Sequence, residues 1–329
     1  MTHQNRLYII IIWALACVGS VRGQEGGSVF NFLSLPSSAH ASALGGRNIS
    51  LMDDDASLVL QNPALLSNVS NNSINLNFMT YMQGAKLGSA AFVREAGERG
   101  TWGASAQFLG YGKMKETTAA GEVLGDMSAL DLSLGGMYSY LFNDYWSGGA
   151  TGKFIYSKYA SYSSVALAVD LGVNYINEES DFSTSLVLAN MGGQVKAFGE
   201  QREALPFNLL WGFTKGLAHL PIRLSVTLTD LTRWSKAYYY VPGGGEPSAG
   251  RIIMNHINLG VDIIPKEQFY LSIGYNIRRA NELTAAGSSH AAGLTCGAGV
   301  NIKRIKFGLA YAKYHVSVPS FTFSLGYSL

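Results

Sequence analysis

The sequence predicts an all-β chain folded as a transmembrane antiparallel β-barrel of about 14 strands, with an N-terminal plug segment. Three observations carry this prediction. Apolar residues alternate with small polar ones at period two over most of the chain. Charge is sparse, at 14% Asp, Glu, Lys and Arg against the roughly 25% of an ordinary soluble domain, beside 47% hydrophobic residues and 38 glycines. The links between the alternating ribbons are by turns short and long. Disorder is excluded by the apolar and aromatic content. An ordinary helical membrane protein is excluded because no run of about 20 apolar residues follows the N-terminus.

The N-terminus reads as a secretory signal peptide over residues 1–23. Arg6 supplies the positive start, and Leu7 to Val18 is an apolar stretch too short to span a bilayer. Cleavage is expected after Gly23. Ala14-Leu15-Ala16-Cys17 matches a lipoprotein signal poorly, so Cys17 is assigned to the apolar stretch. Loss of Arg6 and Arg22 leaves acidic and basic residues equal in number, which gives no electrostatic case for nucleic acid or for a polybasic membrane patch. Cys296 then stands alone, so an intramolecular disulfide is impossible and a Cys-based metal site is unsupported. It falls in the run Ala292, Leu294, Cys296, Ala298, Val300, Ile302 and is expected to face lipid as a small apolar residue.

Residues 73–329 carry the barrel pattern. At the C-terminus Phe321, Phe323, Leu325, Tyr327 and Leu329 share one strand face, and Thr322, Ser324, Gly326 and Ser328 the other. Ile257, Leu259, Val261 and Ile263 likewise oppose Asn258, Gly260 and Asp262, and the ribbon at 269–278 runs from Phe269 to Ile277. A soluble sandwich shows the same period. The small, sparsely charged polar face and the link lengths favour a barrel: short links lie near 142–144, 177–179, 265–267 and 303–304, and long ones near 111–128, 191–205, 231–254 and 279–290. Short turns on one side and long loops on the other are the pattern of outer-membrane barrels. The wall is expected in the cell outer membrane, in contact with lipid and lipopolysaccharide, with its long loops at the surface.

Residues 24–72 do not alternate. They are too numerous for a linker and too apolar to lie in solvent, so they are expected inside the barrel as a plug. Within them Asn62-Pro63-Ala64 is expected to turn, because Pro63 biases Asn62 away from helical angles and Ala64 allows close packing.

The ordered set Phe-x-Phe-Leu (30–33), Leu-Pro-Ser-Ser-Ala (35–39), Ala-Leu-Gly-Gly (43–46), Asp53-Asp54-Asp55 and Asn-Pro-Ala-Leu-Leu (62–66) resembles the start of the PorV/PorQ family. These are outer-membrane proteins of the Bacteroidota type IX secretion system, related to the FadL fatty-acid channel fold. The motif covers only the segment before the first strand, and compact loops and modest length resemble the PorQ branch. The resemblance implies a non-catalytic role, without a cofactor, in holding the surface protein PorZ of the attachment complex that links cargo to anionic lipopolysaccharide. A FadL-like channel for hydrophobic small molecules is the alternative, and it would need an apolar pocket between plug and wall and a lateral opening at a strand kink.

Other clusters have simpler readings. Asp53-Asp54-Asp55 lacks the glycine and glutamate that an EF-hand loop requires and fits better before a helix at Ala56 to Gln61. The histidines are scattered, with no pair at ligand spacing. No Ser-His-Asp set declares itself, so an outer-membrane enzyme is unsupported. Gly243-Gly244-Gly245 lacks the Lys-Ser/Thr of a phosphate loop. Asp131, Lys153, Asp170, Arg223, Asp262 and Arg278 are expected inside, as lumen salt bridges or plug contacts. Loop 231–254 carries Trp234, Tyr238, Tyr239 and Tyr240, which suit a partner-binding hot spot. An aromatic girdle at the lipid interface is the competing reading, although three consecutive tyrosines cannot all face lipid.

Overall fold

A computed structural model describes residues 29–117, 123–266, 268–283, 290–315 and 318–329. The predicted signal peptide, 1–23, lies outside them. The period-two ribbons form one closed antiparallel barrel, each strand paired with its neighbour in sequence and the last with the first. Its 14 strands are β1 (Ser73–Thr80), β2 (Lys86–Ala96), β3 (Gly100–Thr117), β4 (Val123–Leu141), β5 (Trp146–Tyr159), β6 (Tyr162–Asn177), β7 (Phe182–Lys196), β8 (Asn208–Gly216), β9 (Ile222–Leu228), β10 (Ile257–Lys266), β11 (Phe269–Asn276), β12 (Leu294–Ile302), β13 (Ile305–Lys313) and β14 (Pro319–Ser328). Closure leaves no unpaired edge, which is the condition for a sheet to stand in hydrocarbon. Among the described residues no helix is long and apolar enough to cross a membrane.

Alternation sorts the side chains as the sequence implies. Phe321, Phe323, Leu325 and Tyr327 of β14 are exposed on the outer face, whereas Ser320 and Thr322 are buried inside. Cys296 is exposed on β12, in line with the outward set. Near the short turns, Trp102, Tyr138, Tyr140, Tyr145 and Trp146 are exposed. Pairs such as Trp146–Tyr175, with centroids 5.0 Å apart, tie part of this band together. Its placement is that of an interfacial aromatic girdle.

Three boundaries differ from the sequence reading. The expected loop 111–128 is mostly strand: β3 continues to Thr117 and β4 begins at Val123. Its residues, such as Lys113 and Lys115, have no apolar alternation to read, because this hairpin is held by backbone pairing and polar contacts such as Lys115–Asp126, at 2.5 Å, rather than by an apolar face. For the same reason β7 runs on to Lys196, inside the expected loop 191–205. Conversely the ribbon at 269–278 stops at Asn276, whose side chain accepts from Arg279 N and caps a short helix, Ile277–Glu282, placing Ile277 and Arg278 off the wall. The short-long alternation also breaks at residues 160–161, where β5 turns tightly into β6.

The core lies within the wall. Residues Val29 to Asn72, the inner segment, carry a 3-10 turn at Asn31–Ser34, helix α1 (Ala39–Ala43), and further 3-10 turns at Leu58–Leu60 and Pro63–Asn68. Phe32, Leu44, Ile49, Leu51, Leu58, Leu65 and Leu66 of this segment are almost fully buried. Two more short helices, α2 (Ala249–Asn255) and α3 (Ile277–Glu282), belong to the long loops.

Candidate functional site

The inner segment meets the wall where the wall is smallest. Gly149 of β5 and Gly172 of β6 are direct cross-strand partners. A Cβ at Gly149 would lie 2.5 Å from the Pro63 carbonyl group, and one at Gly172 would lie 2.2 Å from Asn62 Oδ1. The glycine pair is therefore a notch for Asn62-Pro63-Ala64. Within the notch Asn62 is extended (φ −148°, ψ 107°) with Pro63 opening the 3-10 turn, as a residue before proline prefers. Asn62 Oδ1 accepts from Ala64 N at 3.0 Å, and its Nδ2 donates to Ile49 O at 2.8 Å. Ser147 of the wall donates to Ala64 O at 3.0 Å.

On the other side α1 lies against β11 to β14. A Cβ at Gly274 would be 2.2 Å from Gly45 N, and one at Gly297 would be 2.7 Å from Ala43 Cβ. Thr295 of β12 donates to Ala43 O at 2.6 Å and accepts from Gly45 N at 3.0 Å. The segment is thus fastened to opposite arcs of the barrel.

Between these contacts stands a closed ring of charges. His40 of α1 places Nδ1 2.9 Å from Asp53 and Nε2 2.9 Å from Asp262 of β10. Arg223 of β9 donates to both Asp53 oxygens, at 2.7 and 3.0 Å, and to Asp262 at 2.9 Å. Both ring nitrogens of His40 face carboxylates, which requires the doubly protonated imidazolium. Burial alone would lower the pKa of His40, but the Asp262 and Asp53 carboxylates raise it to about 10. Burial would raise Asp53, and the charges of Arg223 and His40 instead hold it far below the usual carboxylate range. His40 also stacks on Tyr270, with centroids 3.9 Å apart.

Each aspartate of the triplet has its own task, and the expected helix after it is only the short turn Leu58–Leu60. Asp53 joins the ring. Asp54 pairs with Lys306 of β13 at 2.6 Å and accepts from Ser70 N at 2.7 Å. Asp55 caps the turn by accepting from Ser57 N at 2.8 Å. Among the described residues no group of three or more His, Cys, Asp or Glu is placed to hold a metal.

The other expected inward charges divide. Lys153 pairs with Asp170 at 2.5 Å. Asp131 accepts from Tyr111 at 2.7 Å and from Ser157 and Tyr159. Arg278 also forms ion pairs, with Asp230 at 2.8 Å and Glu282 at 3.0 Å, but it does so from α3, which corrects its expected place on a strand.

The loop aromatics also separate. Tyr239 is a correction, because it is only 4% exposed and its hydroxyl donates to Arg233 O at 2.8 Å, so it offers no surface to a partner. Tyr238 is half-buried between the guanidinium groups of Arg233 and Arg278, 4.5 and 4.4 Å from its ring. Tyr240 and Trp234 are 64% and 53% exposed, and Trp234 rests on His256 at 4.3 Å. Sequence reasoning missed His40, whose wall partners Asp262 and Tyr270 come from distant strands, and the glycine notches, which carry no local signal.

Two cavities flank the segment. One of about 200 Å³, near the short turns, is lined by His40, Asp53, Asp54, Tyr270 and Lys306. The other, of about 230 Å³ beneath the long loops, is lined by Arg47, Asp230, Arg233, Tyr238, Arg278 and Arg279 among others. Apolar packing lies elsewhere: Phe30 and Phe32 fill the space among Met79, Leu87, Leu109, Ile155 and Leu205.

No family model and no curated protein matches the chain. Solved structures do. The CymD monoaromatic hydrocarbon channel is similar with a TM-score of 0.55 at 12% identity, over 92% of this chain and 99% of that one. A FadL homologue from Pseudomonas aeruginosa gives 0.53 at 12%, over 88% and 98%. The toluene transporter TodX from Pseudomonas putida gives 0.53 at 12%, over 89% and 96%. At such identities the likeness establishes the fold, a FadL-type barrel, and not the cargo.

Proposed function

We propose that the chain is a non-enzymatic outer-membrane barrel of the type IX secretion system, which holds a PorZ-like surface partner of the cargo-attachment complex. Residues 24–72 act as its plug and the long loops face outward. The observation that carries this reading is the fastening of the inner segment. The residues that resemble the PorV/PorQ start are the ones locked to the wall: Asp53 in the charge ring, Asp54 on Lys306, and Asn62-Pro63-Ala64 in the glycine notch. A segment pinned on opposite arcs suits a permanent closure and a rigid platform better than a passage. The partner would meet the exposed Trp234 and Tyr240, with large amphipathic side chains of the kind enriched in hot spots.

Affinity purification of the full-length protein from native outer membranes, followed by mass spectrometry, tests the proposal. Co-purification of a surface protein and secretion components is expected. Recovery of neither, with secreted cargo still attached in a deletion strain, would overturn it.

A second reading, a channel for hydrophobic small molecules, is favoured by the fold neighbours, two of which are described as a hydrocarbon channel and a toluene transporter. The apolar cluster around Phe30 and Phe32 is where such a ligand would sit if those rings withdrew. The register shift of β6 against β7 between Val169 and Leu171 is where the wall would part. Saturable uptake of a fluorescent fatty acid, lost on deletion, would favour this reading.

A further inference from the structure

The cavity beneath the long loops is unusual in its charge. Arg47, Arg233, Arg278 and Arg279 line it, and Asp230 is the acidic residue among its lining. Arg278 uses both Asp230 and Glu282, at 2.8 and 3.0 Å. Arg233 lies over Tyr238 and reaches Phe207 O at 3.5 Å. Arg47 has a backbone acceptor, Ser34 O at 3.0 Å. Arg279 stacks on Tyr314 at 4.2 Å and reaches Gly45 O at 3.4 Å, while its Nη1 is buried with no hydrogen-bond partner. A buried guanidinium nitrogen without an acceptor is costly unless something supplies one. Burial lowers the Arg47 pKa, with Asp230 and Asp170 only partly opposing it, and Asp170 is already engaged by Lys153. Segments 284–289 and 316–317, which adjoin these loops in sequence, contain no acidic residue.

Among the described residues the local sum leaves two guanidinium charges over, in a space of about 230 Å³. A single water needs only about 10–15 Å³ on this measure, so a tetrahedral anion with its hydration fits. A phosphate monoester carries about −1.5 to −2 at neutral pH, which matches the excess. Guanidinium groups are suited to it because their planar donor forks pair with phosphate oxygens.

We propose that this cavity binds a phosphate-class oxyanion through Arg47 and Arg279, with Arg233 at its mouth. The site is independent of either reading of the barrel's overall role. The anion is either free or the headgroup of a phosphorylated lipid, and the test separates them.

Detergent-purified full-length protein is dialysed against radiolabelled inorganic phosphate at constant ionic strength. In parallel it is titrated with short-chain phosphatidic acid, with phosphatidylcholine as the comparison. Saturable binding of phosphate identifies a soluble anion, and saturation by phosphatidic acid alone identifies a headgroup; either supports the site. Arg279→Gln and Arg47→Gln should each weaken binding about tenfold, as loss of a charge-assisted hydrogen bond implies. Lys236→Gln, which removes an exposed loop charge paired with Glu246, should leave binding unchanged. Arg279→Lys keeps the charge and serves if the Gln variant loses its heat-modifiable migration. Absence of saturable binding by both probes, or binding unaltered in the Arg47→Gln/Arg279→Gln double variant, overturns the proposal.

Discussion

The glycine notch gives the sharpest prediction. In Gly172→Ala the new Cβ would sit 2.2 Å from Asn62 Oδ1 and 3.3 Å from Ala64 N, where ordinary contact begins near 3.4 Å. Asn62 cannot swing away without leaving Ala64 N and Ile49 O, its two buried partners. Loss of the cap costs about 1 kcal/mol, and a buried donor or acceptor left unpaired costs about 1–3 kcal/mol. The alternative, keeping the bonds and straining the wall, costs about 1–3 kcal/mol by overpacking. The cheaper route sets the effect, so docking of this part of the segment weakens by about 2 kcal/mol, or about thirtyfold in its opening equilibrium. Hydrogen exchange of the amides at 58–68 reads this directly. Protection there should fall about thirtyfold in Gly172→Ala while the strands keep theirs and the barrel stays heat-modifiable. Gly149→Ala, which meets the Pro63 backbone, should act at least as strongly. Gly152→Ala is the control, since its Cβ would meet nothing within 4 Å. Equal protection in the wild type and all three variants would refute the idea that small residues in the wall seat the segment.

Three further outcomes follow from the charges and loops. Arg223→Met should leave the two carboxylates of Asp53 and Asp262 with His40 as their one cationic partner in the ring, so that one buried negative charge is uncompensated at a cost of about 3–5 kcal/mol, and should make the inner segment protease-sensitive. The His40 pKa is raised on folding from 6.5 to about 10. Its stabilisation is therefore full below pH 6.5 and lost as pH rises through 10; proteolysis of the segment should increase above that pH in the wild type, and His40→Gln should show no such step. Asp53 is shifted the other way, so its contribution is present above its unfolded value of 3.8 and fades only in stronger acid. Replacing Trp234 and Tyr240 by Ser should release a surface partner without altering heat-modifiability, whereas Tyr239→Phe, which removes only the buried hydroxyl's bonds to Arg233 O and His256, should retain the partner.

The wall was legible because lipid imposes a rule on every second residue. Phe321, Phe323, Leu325 and Tyr327 could be assigned outward from composition alone, since only one face of a membrane strand meets hydrocarbon. Where that constraint lapses the reading lapsed with it: β3 and β4 extend through Lys113 and Lys115 with no apolar face, and α3 takes over at Ile277 because Asn276 supplies a cap. Tyr239 illustrates a second limit. Period and composition say that consecutive tyrosines must diverge, but which one turns inward depends on Arg233 and His256, at 2.8 and 3.2 Å from its hydroxyl.

The lumen obeys a different logic, which explains why the motif was visible and its purpose was not. An interior contact between two polypeptide surfaces is made by a projecting polar side chain on one and a gap or counter-charge on the other. The projecting groups, Asp53, Asp54 and Asn62, sit close together in sequence and read as a motif. The gaps and counter-charges are contributed one per strand, as Gly149, Gly172, Arg223, Asp262 and Lys306, so no window of sequence contains them. His40 joins both sets: it lies in the segment yet bridges Asp53 to the wall through Asp262. Each wall strand then needs only a few inward residues to recognise the segment, and the remaining inward positions are free to be small. That economy accounts for the low charge content that first marked the chain as a barrel. It also makes the excess of guanidinium beneath the loops meaningful. In a lumen where His40, Arg223, Lys153 and Lys306 each face a carboxylate within 3 Å, a buried Arg279 nitrogen without an acceptor marks a place shaped for something that the described residues do not provide.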